Sequence, residues 1–171
     1  MRQNYWQTVY VTVPQTVTPP RLNPKLARPW PLTFRFIRVQ PGRFFGFTQE
    51  WVGETRVTFT DLERTLLDGL SRPRECGGFA EVLEAFERAR GRFSATKLVE
   101  YALRLEPVVA RRLGWVLEEH LGTPWAALKP LKAVVQAALA YQPLDPSAPR
   151  RGPCKSRWKL QENLPGREAT Q

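Results

Sequence analysis

TDLERTLLDGLSRPRECGGFAEVLEAF, residues 60–86, changes the spacing of the apolar positions from two to about 3.6, and that change marks where a sheet gives way to helices. Thr60 and Glu63 have the S/T-x-x-E spacing of a capping box, which satisfies amide groups left open at a helix start. Leu62, Leu66 and Leu70 then line one face of a first helix. Gly77 and Gly78 supply a turn rather than a phosphate loop, because neither a GxGxxG nor a GxxxxGK[ST] pattern is present. Over residues 78–90, Phe79, Val82, Leu83 and Phe86 repeat the helical spacing, with Glu84 and Arg88 paired on the outside and Gly91 as the stop.

Upstream, residues 8–13 alternate Val9, Val11 and Val13 with Thr8, Tyr10 and Thr12, and Pro14 ends the strand. A connection holding Pro19, Pro20, Pro24, Pro29 and Pro31 leads to a second alternating run at 32–39. After the Pro41-Gly42 turn, residues 44–51 and 56–60 read as two more strands around Val52-Gly53-Glu54. Downstream, Ser94 is placed to cap a third helix carrying Leu98, Tyr101, Ala102 and Leu105. Pro107 suits the first turn of a fourth, with Val109, Leu113, Val116 and Leu117 inward and Gly122 as terminator. Thr123-Pro124 opens a fifth, in which Pro130 either breaks the helix near Lys129 or kinks it ahead of Leu131, Val134, Val135, Ala138 and Leu139.

The predicted fold class is therefore α+β: a small, mainly antiparallel sheet followed by about five helices and an irregular basic tail. Residues 1–142 form one domain, with the sheet in 1–60 and the helices in 61–142, and the Pro-rich tail 143–171 packs on it. The 171 residues suffice for one well-buried core, and at 42% hydrophobic and 25% charged the chain has the composition of a folded domain rather than a disordered one. Basic residues outnumber acidic ones by eight to two over residues 1–60, twelve to eleven over 61–142 and six to three over 143–171. A balanced middle with cationic ends suits a polyanionic partner, although solubility alone could account for it. Cys76 and Cys154 have neither metal-ligand spacing nor a disulfide framework. No apolar run reaches the length of a membrane span, and the N-terminus lacks the continuous apolar core of a signal peptide, so the expectation is a cytoplasmic protein with no membrane partner.

Catalytic chemistry finds little footing. Asp61, Arg64, Thr65 and Asp68 share a helix face, but the carboxylates are two turns apart with an arginine between them; a first-turn Asp on the helix dipole and an Arg64–Asp68 ion pair explain them. His120 beside Glu118 and Glu119 does not make HExxH and sits where it would stabilise a helix end. Neither cysteine shows the context of an activated thiol, and there is no GxSxG elbow. No enzyme activity, catalytic residue, metal or cofactor is expected. The basic clusters point instead to binding: Arg111 and Arg112, then Arg150, Arg151, Lys155, Arg157, Trp158 and Lys159, a mixture that can follow a phosphate backbone and stack on bases. Trp158 could equally be an anchor that folds the tail back with its flanking cations outward.

VTFTDLERTLLDGL (57–70), CGGFAEVLEAF (76–86), KLVEYALRL (97–105), ARRLGWVLEEHLG (110–122) and PLDPSAPRRGPCKSRWKLQEN (143–163), in this order and spacing, resemble the AbiEi family from about residue 8 to 163. That family comprises antitoxins and transcriptional regulators of type IV toxin-antitoxin systems, which act in phage defence. The resemblance implies a non-enzymatic bacterial antitoxin opposing an AbiEii-like nucleotidyltransferase toxin, without need of a stable complex. Family members carry an N-terminal winged helix for promoter binding, whereas residues 1–13 here read as strand, so the similarity is to the C-terminal antitoxin domain. The alternative expectation is a nucleic-acid-binding transcriptional regulator without a toxin partner, with DNA or RNA as its ligand. Motif positions carried over are Asp61, Glu63, Arg64, Thr65, Asp68, Gly78, Arg112, Leu113, Gly114, Leu144, Asp145, Gly152, Trp158 and Asn163. Among them Leu113 and Gly114 would permit tight helix packing, Asp145 and Trp158 would pin the tail, and Arg64 and Arg112 would be exposed and functional.

Overall fold

In a computed structural model, residues 8–19 and 33–164 are described, and the chain divides into two compact units, Met1–Phe45 and Gly46–Gln171. The first unit pairs β1 (Thr8–Pro14) with β2 (Thr33–Val39) in parallel register, Val9 opposite Phe34 and Val11 opposite Phe36. Arg38 closes its end by donating from Nη2 to the Gln15 carbonyl at 2.6 Å. The second unit opens with β3 (Phe47–Val52) and β4 (Thr55–Thr60), an antiparallel hairpin turned at Gly53. The expected single, mainly antiparallel sheet is thus corrected to two separate ribbons, one of them parallel. The eighteen residues between Pro14 and Thr33 are long enough for the crossover that parallel pairing requires, which alternation alone does not reveal. Leu32 and four of the five connecting prolines, Pro20 to Pro31, lie outside the described residues.

The helices follow in the order expected: α1 (Leu62–Ser71), α2 (Phe79–Arg88), α3 (Ala95–Ala102) and α4 (Pro107–Trp115), the last continuing as a π-helical turn over Val116–His120 before Gly122 adopts positive φ. The cap of α1 falls one residue later than predicted. Asp61 accepts from the Arg64 amide at 2.8 Å, while Thr60 remains the last residue of β4 with its hydroxyl 2.8 Å from that of Thr65. A carboxylate at the cap competes better for the open amides than a hydroxyl. Glu63, released from the capping box, reaches α3 instead. It accepts from the Ser94 amide and from Lys97 Nζ, each at 2.9 Å. Ser94 caps α3 as expected by accepting from the Lys97 amide.

The predicted fifth helix breaks near Lys129 into α5 (Trp125–Leu128), a 3-10 turn at Lys129–Leu131 and α6 (Lys132–Gln136), because Pro130 cannot donate an amide. The tail then adds three two-residue strands, β5 (Gln142–Pro143), β6 (Cys154–Lys155) and β7 (Leu160–Gln161), in the order β5-β7-β6. The core of this second unit is built around α4, where residues 109–117 are all buried. Leu66, Leu67 and Leu70 of α1, Phe79, Val82 and Phe86 of α2, and Leu98 and Ala102 of α3 join it, as do Leu144, Trp158 and Leu160 of the tail.

Candidate nucleic-acid interface

Three of the six arginines expected on a binding surface, Arg64, Arg111 and Arg112, are interior, whereas Arg150, Arg151 and Arg157 are exposed. Arg64 is buried on α1 with its Nε donating to Asp68 at 2.9 Å, and Arg111 and Arg112 are each 4% exposed. A guanidinium can be buried only where carbonyls or carboxylates replace its water. Arg112 donates to the carbonyls of Leu70 at 2.8 Å and Pro143 at 3.2 Å, fastening the end of α1 to the start of the tail. Burial pushes its pKa down to about 10 against the opposing pull of Asp145. Arg111 donates to the carbonyls of Trp158, Ala140 and Lys159, and burial lowers its pKa as well. Both act as fasteners for the tail, which corrects the reading of Arg64, Arg111 and Arg112 as exposed binding residues.

Trp158 is also inside, fully buried, so of its two sequence readings the structure has the anchor. Its ring lies over Gly114 so closely that a β-carbon there would overlap it, which is why α4 carries glycine at that turn. Its Nε1 donates to Glu118 at 2.8 Å. The next residue, Lys159, takes a positive φ of 46°, uncommon for a side chain other than glycine, asparagine or aspartate. Asn163 closes the loop before β6: its amide nitrogen donates to the carbonyls of Asp145, Ala148 and Pro149, and its oxygen accepts from the Asp145 amide. Gly152 has φ of 107° and faces the Glu162 carbonyl with no room for a β-carbon. Leu113 is fully buried, Gly78 precedes α2 with positive φ, and Thr65 turns its hydroxyl back to the Asp61 carbonyl at 2.8 Å.

Asp61 and Glu63 form the other charged centre. Asp61 accepts from Tyr101 at 3.0 Å and lies 3.2 Å from Lys97, which also pairs with Glu63. Burial works against the Glu63 carboxylate, but the Lys97 and Ser94 hydrogen bonds outweigh it and hold the pKa below the ordinary range; Glu63 in turn raises that of Lys97. For Asp68, burial prevails over Arg64 and the pKa rises. The Asp61–Lys97–Glu63 centre joins α1 to α3. His120 stacks on Trp115, with its Nε2 3.3 Å from Glu87. Among the described residues no group of three or more His, Cys, Asp and Glu is placed to hold a metal ion, and no helix is long and apolar enough to cross a membrane.

Of the basic set, Arg157 and Lys159 border an open cleft of about 470 Å³ between α5, α6 and the tail. Trp125, Val135 and Gln136 line it together with Lys132, Ser156, Arg157 and Lys159. The buried Trp158 ring supports Trp125 edge-to-face at 5.7 Å, and the Arg157 guanidinium lies 5.1 Å from the centre of the Trp125 ring. Arg157 is tied to Glu118 at 3.2 Å, and Lys159 donates to the Ala138 carbonyl at 2.5 Å. Lys132, exposed on α6, has no ion-pair partner among the described residues, and neither do Arg150 and Arg151 on the loop before β6. Lys155 is instead held between Glu119 and Glu162, which raise its pKa against the effect of burial. Trp125, Lys132, Gln136 and Ser156 were not among the predicted residues. Their signal was present: Trp125, Lys129, Lys132 and Gln136 recur at i, i+4, i+7 and i+11, one face of an unbroken helix, but Pro130 interrupts that helix.

Compared with protein-family models, with curated proteins and with solved structures, the chain matches none.

Proposed function

We propose that this chain is a non-enzymatic antitoxin-type domain that opposes a nucleotidyltransferase-like toxin of the AbiEii kind by engaging the nucleic acid on which such a toxin would act. The supporting observation is the cleft: Lys132, Arg157 and Lys159 converge on an aromatic wall with no carboxylate in its lining, a combination suited to phosphate and base. Glu118 lies behind Arg157 and offsets only part of that charge. Action on the toxin's substrate requires no stable complex between the two proteins. Co-expression with an AbiEii-like nucleotidyltransferase tests the reading, with restored growth expected from the intact chain. A folded, abundant chain that leaves the toxin fully active would overturn it.

A nucleic-acid-binding regulator without a toxin partner is the second reading, favoured by Arg150 and Arg151, which are exposed on the loop before β6 without ion pairs among the described residues. It requires duplex binding that weakens steeply with salt, independent of any toxin.

A further inference from the structure

We infer that the cleft between Trp125 and α6 is a site for one unpaired nucleotide of single-stranded nucleic acid, with the base against Trp125 and Val135 and its phosphate held by Lys132 and Lys159. The inference rests on the nucleic-acid reading above and specifies what kind of nucleic acid is held, and where. The size agrees: about 470 Å³ is within the roughly 300–1,000 Å³ typical of small-molecule sites and accommodates one nucleotide rather than a helix. The chemistry agrees in three respects. An indole with a guanidinium over its face makes a planar, cationic wall, the kind of platform on which an unstacked base gains stacking and cation–π energy. Gln136 and Ser156 add an amide and a hydroxyl, able to donate to and accept from a base edge. Lys132, without an ion-pair partner among the described residues, supplies a charge that phosphate can neutralise, and Lys159 a second one.

Paired bases cannot present their faces to such a wall, because those faces are already stacked inside the duplex. The site is also pre-built. Trp125 rests on the buried Trp158 ring, and Arg157 is oriented by Glu118, so little order has to be gained on binding.

Fluorescence anisotropy of the full chain with a labelled, 5′-phosphorylated single-stranded octanucleotide tests this, with unlabelled duplex of the same sequence and adenosine monophosphate as competitors. The expected result is saturable binding to the single strand, a salt slope of roughly −1 from the one or two phosphates that Lys132 and Lys159 can neutralise, and poor competition by the duplex. Competition by the mononucleotide at concentrations near those of the strand would mean that free nucleotide is the source of the ligand; competition only at far higher concentrations assigns it to the strand. Trp125→Leu and Lys132→Glu should each weaken binding roughly tenfold or more, whereas the same charge change at the two exposed arginines that flank α2, Arg74→Glu with Arg92→Glu, should leave most of the affinity. If Trp125→Leu does not fold, Lys132→Glu and Gln136→Ala, both on the exposed side of α6, carry the test. Equal competition by duplex and single strand, or undiminished binding by the cleft variants, would sink the inference. Because growth rescue is read separately, a chain that neutralises toxin yet ignores the single strand would defeat this site while sparing the antitoxin reading.

Discussion

At Gly114 two opposing effects can be weighed. Alanine in its place would favour helix by about 1 kcal/mol, but the methyl group would have to displace the fully buried Trp158 ring, whose Nε1 is fastened to Glu118. Overpacking a rigid site costs about 1–3 kcal/mol, so Gly114→Ala is expected to destabilise the protein, read as a lower urea midpoint with an unchanged slope. The loss should shrink when Trp158→Phe removes the outer indole ring first, since the two positions share one contact. RRLGW in the sequence shows that a glycine interrupts an apolar helix face; it does not show that a tryptophan more than forty residues later fills the gap. Local spacing reports on neighbours along the chain, and this partner comes from the tail. For the same reason Arg111 and Arg112 read as surface charges, although the carbonyls of Leu70, Ala140, Pro143, Trp158 and Lys159, all distant in sequence, receive them in the fold.

Among the elements, α1 and α3 are joined by charge as well as by apolar packing. Glu63 has a lowered folded pKa, so its contribution to stability is fully present above the carboxyl's ordinary value and is lost as pH falls through the folded value. Lys97 has a raised folded pKa, so its share is present at neutral pH and fades only in strong alkali. Asp68 works the other way, because burial makes its proton bind more tightly in the folded state and its ionisation weakens the fold as pH rises. Glu63→Gln is therefore expected to lower the thermal midpoint at pH 7 and to narrow its gap to wild type as the pH is taken below about 4, followed by circular dichroism over an acid series. The helices themselves were legible: the leucine and phenylalanine spacing located α1 to α4, and Ser94 and Pro107 marked two of their starts. What Glu63 does was not, since S/T-x-x-E describes a local reach and Asp61 had already taken the cap. Nor was the aromatic wall of the cleft, whose Trp125 and Lys132 are separated by the break at Pro130.

For the whole molecule, the tail belongs to the core of the second unit. Leu144, Trp158 and Leu160 are fully buried, and Arg111 and Arg112 find most of their acceptors in the tail or where it begins. A chain ending at Gln142 is expected to lose cooperative unfolding and bind a hydrophobic dye, because Gly114 would face an empty groove and two guanidiniums would lack most of their carbonyls. A sharp melting transition in that truncated chain would show the tail to be a passenger. The position of Lys159 adds a further consequence. Lys159 is itself the left-handed residue, directly after the buried Trp158, and with Arg157 on the other side of that ring it supplies two of the cations that border the cleft. Docking of the tail and assembly of the cleft are consequently one equilibrium, so a ligand of the cleft would favour the docked tail by the same free energy with which docking favours the ligand.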